Sequence, residues 1–553
     1  MSESSKKYDK RRLMALAFFL CYLMIGLRLV GQYGTGVDAW IERKSSLVTY
    51  KYINETLFDR KPSSEFEKLP NLSDYRDRWY GMAMQIPMVI IEDVYDFKLT
   101  KRTVFLMRHH IIFLYCFVGY LFFYFMLRRL FPKNSWLPLI GVAFIALYPR
   151  FFPLQFVDVK NLVFNALVMA TCYFMLLAVE KKRIVYDVLF GVVAALATNQ
   201  RVMGVLFICT LIGYYAITDI IVHFSEKNSS SGTKKYHILK YPAVILSFFL
   251  FWTLITPLSW KSPIQTFFDT FHAFSDFYGW NGQMVFMGQH ITRAEMPWYY
   301  LPVWMSITIP IVILVLFAIG HARYVIDIVK SKGRVSAVLG EQKWLTCSLF
   351  LFWAIFFNIV LRQGPIYIGW HHAYFAIIPM VVVALFGLEY LFDKIDRRVV
   401  YAIVGVYFVV QCVWMVRHHP YQNVYFNIIG MQYGDQFDRD EERLVTLPMV
   451  RWILAQEDKR VPIAETWHIK DWWKILEQEE KTIPISEKDV FAVRGLLLTK
   501  QEKALISNKW PPKYVLEYYR NVIGNDVRYE GYEEVHTVWM GKFKIGSVYR
   551  LME

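Results

Sequence analysis

The chain has 553 residues, of which 55% are hydrophobic and 18% aromatic, and its mean hydropathy is +0.28. Soluble proteins have roughly 45–50% apolar residues, and a single soluble core stops growing near about 250–300 residues, so one large soluble domain is excluded. The net charge of +15 does not indicate nucleic-acid binding, because the basic residues form short clusters between apolar runs, as in membrane proteins.

Apolar runs recur along most of the chain. A membrane-spanning helix needs roughly 17–25 mostly apolar residues, and about eleven segments approach or reach that length. They lie near 12–32, 104–127, 135–149, 161–179, 184–199, 202–223, 238–258, 300–321, 344–361, 373–392 and 399–416. The third is broken near its end and the fifth is short. No small-residue cleavage site follows the first run, so we expect it to be retained as a span.

Basic clusters predict the orientation of these spans. They occur at 6–12, 128–133, 181–183, 227–235, 323–334 and 394–398, and they alternate with the other loops. Lys and Arg accumulate in cytoplasmic loops, so we expect a multi-pass cell-membrane protein with a cytoplasmic N-terminus. The opposite side then receives 33–103, 150–160, 200–201, 259–299, 362–372 and everything after 417.

Two units follow from this layout. Residues 1–417 form an α-helical transmembrane module, in which the first external loop, 33–103, contains an apolar but interrupted segment at 79–91 that predicts a helix on the membrane surface. Residues 418–553 predict a small extracytoplasmic α/β domain. It includes a helical stretch at 448–459 and a closing hairpin formed by 535–540 and 545–551, with Gly541 near its turn.

Acidic residues follow the first span. Asp38 stands just beyond it, and a carboxylate at the outer mouth of a span can act as a general base for a hydroxyl acceptor. A solvated loop residue is the alternative interpretation. Glu42 lies one helical turn later and can share a helix face with Asp38.

The short loop at 150–160 carries three charged residues among aromatics. Charges are costly next to hydrocarbon and usually have a partner or a ligand. Arg150 and Lys160 suit a phosphate, while Asp158 suits a metal, a sugar hydroxyl or one of these cations. An internal ion pair that caps the fourth span explains the loop equally well.

Three further polar residues occupy predicted outer span ends. Arg201 separates two spans and either binds an anion or snorkels to the interface. His371 and His372 form a pair that suits metal, proton, phosphate or sugar contacts. No third metal ligand stands nearby, and the six cysteines lie inside apolar runs without ligand spacing, so we expect no disulfide framework and no zinc site.

Aromatic residues crowd the external segment 271–304 and include Trp298, Tyr299 and Tyr300. An interfacial aromatic belt explains some of them. A groove for a sugar or an isoprenoid would explain their density better, because flat rings stack on sugar faces and line apolar pockets.

Five sequence blocks resemble those of the GT-C glycosyltransferases, and more narrowly of bacterial protein-mannosyltransferase and aminoarabinose-transferase relatives (glycosyltransferase family 39-like). The blocks are Tyr148-Pro149-Arg150 with Asp158-Val159-Lys160-Asn161, then 197–204, 288–304 with Thr308-Ile309-Pro310, 367–375 and 419–427. The sequence departs from the family pattern in three places. Ala39 replaces the second acid of the first loop, Asp158 and Asn161 have exchanged places, and His371 replaces an arginine.

The resemblance implies a GT-C fold with about eleven spans and a transfer reaction outside the membrane. A polyprenyl-phosphate-linked sugar would be the donor, and a hydroxyl of a glycan, lipid or protein the acceptor. Asp38 or Asp158 would be catalytic, while Arg150, Lys160, Arg201, His371 and His372 would bind the donor phosphate. Trp298, Tyr299 and Tyr300 would form the sugar or lipid groove. No metal ligand set is identified, although a divalent metal remains open as a cofactor.

Three other functions remain open. A polysaccharide polymerase or ligase would also act on lipid-linked glycans outside the membrane. A transporter usually places charges near mid-membrane and has paired broken helices, whereas the charges here cluster at outer span ends. A non-catalytic scaffold is the third alternative, favoured by the departures from the family pattern.

Overall fold

The computed structural model describes residues 3–58, 67–225, 231–275, 282–332, 334, 340, 342–361, 366–457, 463–465, 490–492 and 512–553. The helices in these ranges are α1 Glu3–Leu29, α2 Ala39–Leu57, α3 Ile86–Val94, α4 Lys101–Leu130, α5 Leu137–Ala146, α6 Phe151–Val157, α7 Asn161–Lys181, α8 Ile184–Gln200, α9 Val205–Ser225, α10 Ser231–Ile255, α11 Pro263–Ser275, α12 Tyr300–Thr308, α13 Ile311–Lys330, α14 Lys343–Leu361, α15 Ile377–Phe392, α16 Arg397–Arg417 and α17 Thr446–Gln456.

The predicted spans correspond to apolar helices. In the described part of the chain, nine helices are long and apolar enough to cross a membrane, or ten if the bent pair α5 and α6 is one span. The shorter apolar helix α8 accounts for the eleventh predicted segment. The protein is therefore a multi-pass helical membrane protein.

Proline determines where two of these segments break. Helices α5 and α6 are bent by 68° around Pro149, which lacks an amide hydrogen and disfavours a helical conformation at the preceding residue. The predicted span at 300–321 is in fact two helices, α12 and α13, because Pro310 separates them. The apolar span therefore runs from Ile311 to Lys330.

The first external loop folds back onto the bundle. The predicted surface helix at 79–91 begins only at Ile86 and ends at Val94. Its Met88 and Val89 are fully buried, so this side of the helix faces protein. Helix α3 packs against α2 and α4, and this packing brings polar side chains of the loop to the N-terminal end of α4.

Helix ends that were predicted to lie on the same side of the membrane are in contact with each other. At the basic end, Arg129 donates to Glu180 at 2.8 Å and Arg323 donates to Glu389 at 2.9 Å. At the opposite end, the Tyr33 hydroxyl donates to Gln422 Oε1 at 3.3 Å. The bundle therefore has two chemically different ends, one rich in basic clusters and one connected to the C-terminal unit.

A mixed sheet forms the C-terminal unit. The strands are β3 Ile463–Glu465, β4 Val490–Ala492, β5 Tyr514–Tyr518, β6 Tyr532–Met540 and β7 Phe543–Leu551, in the order β4-β3-β5-β7-β6. Strand β3 is parallel to β4 and β5, and β7 is antiparallel to β5 and β6. A separate short hairpin, β1 Met284–Phe286 and β2 Gln289–Ile291, belongs to the external loop before α12.

The closing hairpin matches its prediction. Gly541 has φ +58° between β6 and β7, a conformation that glycine adopts without a steric penalty. Helix α17 lies on β7, where a Cβ at Gly546 would stand 2.8 Å from Met449 Sδ. Glycine is therefore needed at that position for the close approach of helix and sheet.

Candidate active site

Lys160 joins two acids of the first external loop. Its Nζ lies 2.7 Å from Glu42 Oε1 and 3.7 Å from Asp38 Oδ2. Burial alone would lower the pKa of Lys160, but the charges of Glu42 and Asp38 raise that pKa well above its ordinary value. The ammonium group therefore stays charged. The Glu42 side chain is only 6% exposed, whereas that of Asp38 is 62% exposed.

A buried polar chain fixes Glu42 from behind. Gln85 Nε2 donates to Glu42 Oε2 at 2.6 Å, and Arg108 Nη1 donates to Gln85 Oε1 at 3.1 Å. Arg108 also bonds to Glu92, which Arg43 contacts from α2. With one oxygen held by Lys160 and the other by Gln85, Glu42 is a positioned ion-pair partner.

Asp158 closes the turn that enters α7. Its Oδ1 accepts the amides of Lys160 at 3.0 Å and Asn161 at 2.7 Å, and its Oδ2 accepts Asn161 Nδ2 at 2.8 Å. The exchanged acid and amide of this loop therefore hydrogen-bond to each other. Burial raises the pKa of Asp158, and the Asn161 donors together with the charges of His371 and Arg201 oppose that rise.

A cavity of about 560 Å³ lies beside these acids. Its polar lining includes Arg78, Asn199, Gln200, Arg201, Arg293 and His372. Its apolar lining includes Val205, Leu206, Trp252, Leu258, Phe271 and Phe274. Arg201 Nη1 and His372 Nδ1 are buried and have no hydrogen-bond partner among the described residues. A cavity lined both by cations and by rings and aliphatic groups suits a ligand that is part anion and part hydrocarbon.

The cavity and the acids are adjacent. Tyr80 lines the cavity, and Lys160 Nζ lies 4.4 Å from the centre of its ring. The charge of Arg201 acts on Asp158, and the charges of Arg201 and Lys160 both act on His372. The structure therefore brings three of the residues predicted to bind one phosphate close enough to interact electrostatically, namely Lys160, Arg201 and His372.

Arg150 differs from that expectation because it does not line the cavity. Its guanidinium carbon lies 5.5 Å from the ring centre of Trp304 and 5.1 Å from that of Phe426, and its Nε donates to the Tyr425 carbonyl at 2.8 Å. The bend at Pro149 turns this side chain toward the C-terminal unit, where it is 3% exposed. Its contacts are those of a residue that joins the two units.

The three aromatic residues predicted to form a groove lie in different surroundings. Trp298 and Tyr299 are exposed, while Tyr300 is buried and its hydroxyl accepts the Gly369 amide at 3.1 Å. None of these three lines the cavity. Its aromatic lining comes instead from Trp79, Tyr80, Trp252, Phe271, Phe274 and Tyr367. The external aromatics at 277, 278 and 280 lie outside the described residues.

Two glutamates that were not predicted from the sequence, Glu441 and Glu442, lie close to these residues. Glu441 Oε1 accepts the Tyr374 hydroxyl at 2.9 Å, and its Oε2 lies 3.5 Å from His371 Nδ1. Glu442 Oε2 accepts the amide of Val37, next to Asp38, at 3.0 Å. The sequence did contain a signal for them, because every residue at 438–443 is charged and this run lies in a segment that was predicted to fold.

The surroundings shift the pKa values of these two glutamates in opposite directions. Burial acts to raise the pKa of Glu441, but His371, Arg150 and Tyr374 bring it below its ordinary value. Burial together with Asp158, Asp38 and Glu441 raises the pKa of Glu442 well above its ordinary value. Among the described residues, no group of three or more His, Cys, Asp or Glu side chains could hold a metal ion.

Residues 109–252 match the family model described as dolichyl-phosphate-mannose-protein mannosyltransferase. The chain is similar to the archaeal oligosaccharyltransferase AglB from Archaeoglobus fulgidus in complex with an inhibitory peptide and a dolichol-phosphate. The identity is 12%, over 90% of this chain and 69% of that chain, with a TM-score of 0.43. It is also similar to ArnT from Cupriavidus metallidurans in the apo state, with 10% identity over 99% of this chain and 98% of that chain and a TM-score of 0.46.

No curated protein sequence matches the chain. The family-model match nevertheless includes Asp158, Lys160 and Arg201, so three residues of the candidate site lie in the part of the chain that carries the family signature. Residues 109–252 are therefore similar to the dolichyl-phosphate-mannose-protein mannosyltransferase family.

Proposed function

We propose that this protein transfers a sugar from a polyprenyl-phosphate-linked donor to an acceptor hydroxyl on the extracytoplasmic side. The observation that carries this proposal is the position of the cavity. Its polar lining, which includes the cation Arg201 and the imidazole of His372, lies next to Lys160 and the acids that Lys160 contacts. A donor of this class combines a phosphate, a sugar and an apolar chain.

The mixed polar and apolar lining of the cavity supports a lipid phosphate as the ligand. Arg201 and His372 each present a buried nitrogen without a hydrogen-bond partner among the described residues. An anion stabilises the Arg201 guanidinium, and a neutral His372 ring can donate one hydrogen bond to the same phosphate. Trp252, Phe271 and Phe274 offer apolar surface to the beginning of the isoprenoid chain. The sugar would then point toward Asp38.

Asp38 is the acid best suited to accept the proton of the acceptor. Both oxygens of Glu42 are engaged by Lys160 and Gln85, and both oxygens of Asp158 are engaged at the turn into α7. The Asp38 carboxylate is more exposed and lies at the longer distance from Lys160. It can therefore approach an acceptor hydroxyl to hydrogen-bond distance, as a general base must.

The proposed reaction balances without a redox partner. The acceptor hydroxyl gives its proton to Asp38, and its oxygen forms a bond to the anomeric carbon of the sugar. The bond between that carbon and the phosphate oxygen breaks, and its electron pair leaves with the phosphate. Arg201 and His372 face the departing anion, whose charge grows in the transition state, which is where preorganised donors contribute most.

The test is sugar transfer by the purified protein in detergent from polyprenyl-phosphate sugars. Asp38→Asn keeps the shape of the side chain but removes its basicity, so we expect kcat to fall about a hundred- to ten-thousandfold. Asp74→Asn, an exposed acid of the same external loop, is the matched control and should retain full activity. Full activity of the Asp38→Asn protein would exclude Asp38 as the base and turn attention to Asp158. No transfer by the parent protein from any such donor would refute the proposed function.

A further inference from the structure

The turn at 440–443 brings the C-terminal unit into contact with the first external loop. Asp440 and Arg443 have φ +40° and +54°, values that non-glycine residues rarely adopt and that persist only where the surroundings enforce them. Asp440 supplies that enforcement, because its Oδ1 accepts from Asn423 Nδ2 at 2.7 Å and its Oδ2 accepts the Val445 amide at 2.8 Å. The turn is therefore held in one conformation and presents Glu441 and Glu442 to the transmembrane module.

Glu442 touches the segment that carries Asp38. Besides accepting the Val37 amide, its Oε2 stands 2.7 Å from the place where a Cβ at Gly36 would be. The same Cβ position lies 3.3 Å from the Val157 carbonyl oxygen, just before Asp158. Gly36 is thus confined between the C-terminal unit and the turn into α7, and glycine fits there because it has no side chain.

From these contacts we propose that Glu442 is a positioning residue, which holds Val37 in place and thereby sets the position of Asp38 beside Lys160. The inference rests on the proposed function for its consequence in catalysis, but the contact itself can be tested without activity. A carboxyl that is protonated at neutral pH still accepts an amide hydrogen bond. The raised pKa of Glu442 therefore agrees with a role as an acceptor.

The charged groups around Glu442 define what a substitution changes. Asp38 faces it from the first loop, Asp158 from the turn into α7, and Glu441 from its own turn. His371 faces both Asp158 and Glu441. Replacing Glu442 by a neutral side chain of equal length removes at most one negative charge from this group and keeps an acceptor for Val37.

The first arm of the test compares Glu442→Gln with Glu442→Ala. Glutamine keeps the acceptor, so we expect kcat within about threefold of the parent protein. Alanine removes the acceptor and releases the Asp38 segment, and a displaced catalytic group can lower the rate about a hundredfold, so we expect kcat to fall by that order with an unchanged KM for the donor. Glu534→Gln, which removes a carboxylate from an ion pair with Lys544 inside the C-terminal unit, should behave like the parent.

The second arm measures hydrogen exchange of the Val37 amide in the full-length protein in detergent. We expect at least tenfold faster exchange in Glu442→Ala and parent-like exchange in Glu442→Gln. Parent-like exchange in Glu442→Ala would overturn the inference whether or not sugar transfer is detected. Equal loss of kcat in the Gln and Ala variants would also overturn it, because the carboxyl group itself would then be required.

Gly36→Ala provides an independent variant. Its methyl group would meet Glu442 Oε2 at 2.7 Å, so the substitution should displace Glu442 and speed exchange at Val37. In a Glu442→Ala background the clash with Oε2 is absent and only the 3.3 Å approach to the Val157 carbonyl oxygen remains, so adding Gly36→Ala should change exchange less than twofold further. Independent, multiplicative effects of the two substitutions would contradict the proposed contact.

Discussion

Lys160 and Glu42 form an ion pair at 2.7 Å at the end of the helical bundle opposite the basic clusters, with side chains that are only 18% and 6% exposed. Removing one partner of a buried pair leaves the other uncompensated and typically costs about 3–5 kcal/mol. We therefore expect Glu42→Ala to lower the apparent melting temperature of the detergent-solubilised protein clearly. Glu55→Ala, whose side chain is 40% exposed and lies 3.9 Å from Lys51, should have little effect, since exposed pairs contribute about 0–1 kcal/mol. Equal melting temperatures for both variants would contradict the role assigned to the pair.

Arg201 and Arg150 should respond differently to substitution. Arg201→Gln removes a cation from the cavity lining, and a hydrogen bond to a charged group contributes about 1.5–3 kcal/mol, so we expect the KM for the donor to rise about ten- to a hundredfold. Arg150→Gln removes packing between Trp304 and Phe426 and should lower the melting temperature while leaving the KM of the folded fraction unchanged. Arg528→Gln, at a side chain that is 86% exposed, is the control. A rise in KM for Arg150→Gln alone would return the phosphate contact to Arg150.

The stability of the protein should fall as pH rises toward neutrality because of Asp438. Burial, opposed by the Val285 amide and the charges of Arg520 and Arg439, raises the pKa of Asp438 to about 7, against about 3.9 in an unfolded chain. The folded state therefore keeps a proton that the unfolded state releases above about pH 4. Stability is lost between about pH 4 and pH 7 and then levels off, by an amount on the order of 4 kcal/mol at most.

Melting temperatures measured from pH 5 to pH 8 check this dependence. Asp438→Asn keeps an acceptor for Val285, which bonds to Asp438 Oδ1 at 3.0 Å, and should make the pH profile shallower, with the remaining slope due to the buried Glu517, whose pKa is also raised to about 7. Asp526→Asn, at a side chain that is 80% exposed, should leave the profile as it is in the parent. A profile that stays equally steep in Asp438→Asn would assign the titration to another group.

The C-terminal unit and the basic end of the bundle should lie on opposite sides of the membrane. We expect a reporter fused after Glu553 to report the outside and one inserted near Asn228, which lies outside the described residues, to report the cytoplasm. The reason is that Lys and Arg accumulate in cytoplasmic loops. Both reporters on one side, or the reverse assignment, would contradict the proposed orientation and the donor side with it.

Most of the helices and strands could be predicted from local sequence. The spans follow from apolar length, the break before α6 from Pro149, and the closing hairpin from two alternating segments around Gly541. The predicted span at 300–321 was displaced because apolar content alone does not register the helix break that Pro310 imposes between α12 and α13. Structural features that depend only on residues adjacent in sequence, such as helix breaks and turns, were thus predictable from the sequence.

The sequence by itself determined a helical membrane protein with charged groups at one end of its spans, and it brought forward Asp38, Lys160, Arg201 and His372. Only the tertiary structure decided which groups meet. It placed Arg150 and Tyr300 outside the cavity lining, engaged both oxygens of Glu42 and Asp158, and brought Glu442 to the Val37 amide across 405 positions of sequence. The physical reason is that apolar length and charge pattern are local properties of a chain. A carboxyl group's partners, and therefore its charge, are set by helix packing and by the docking of the C-terminal unit.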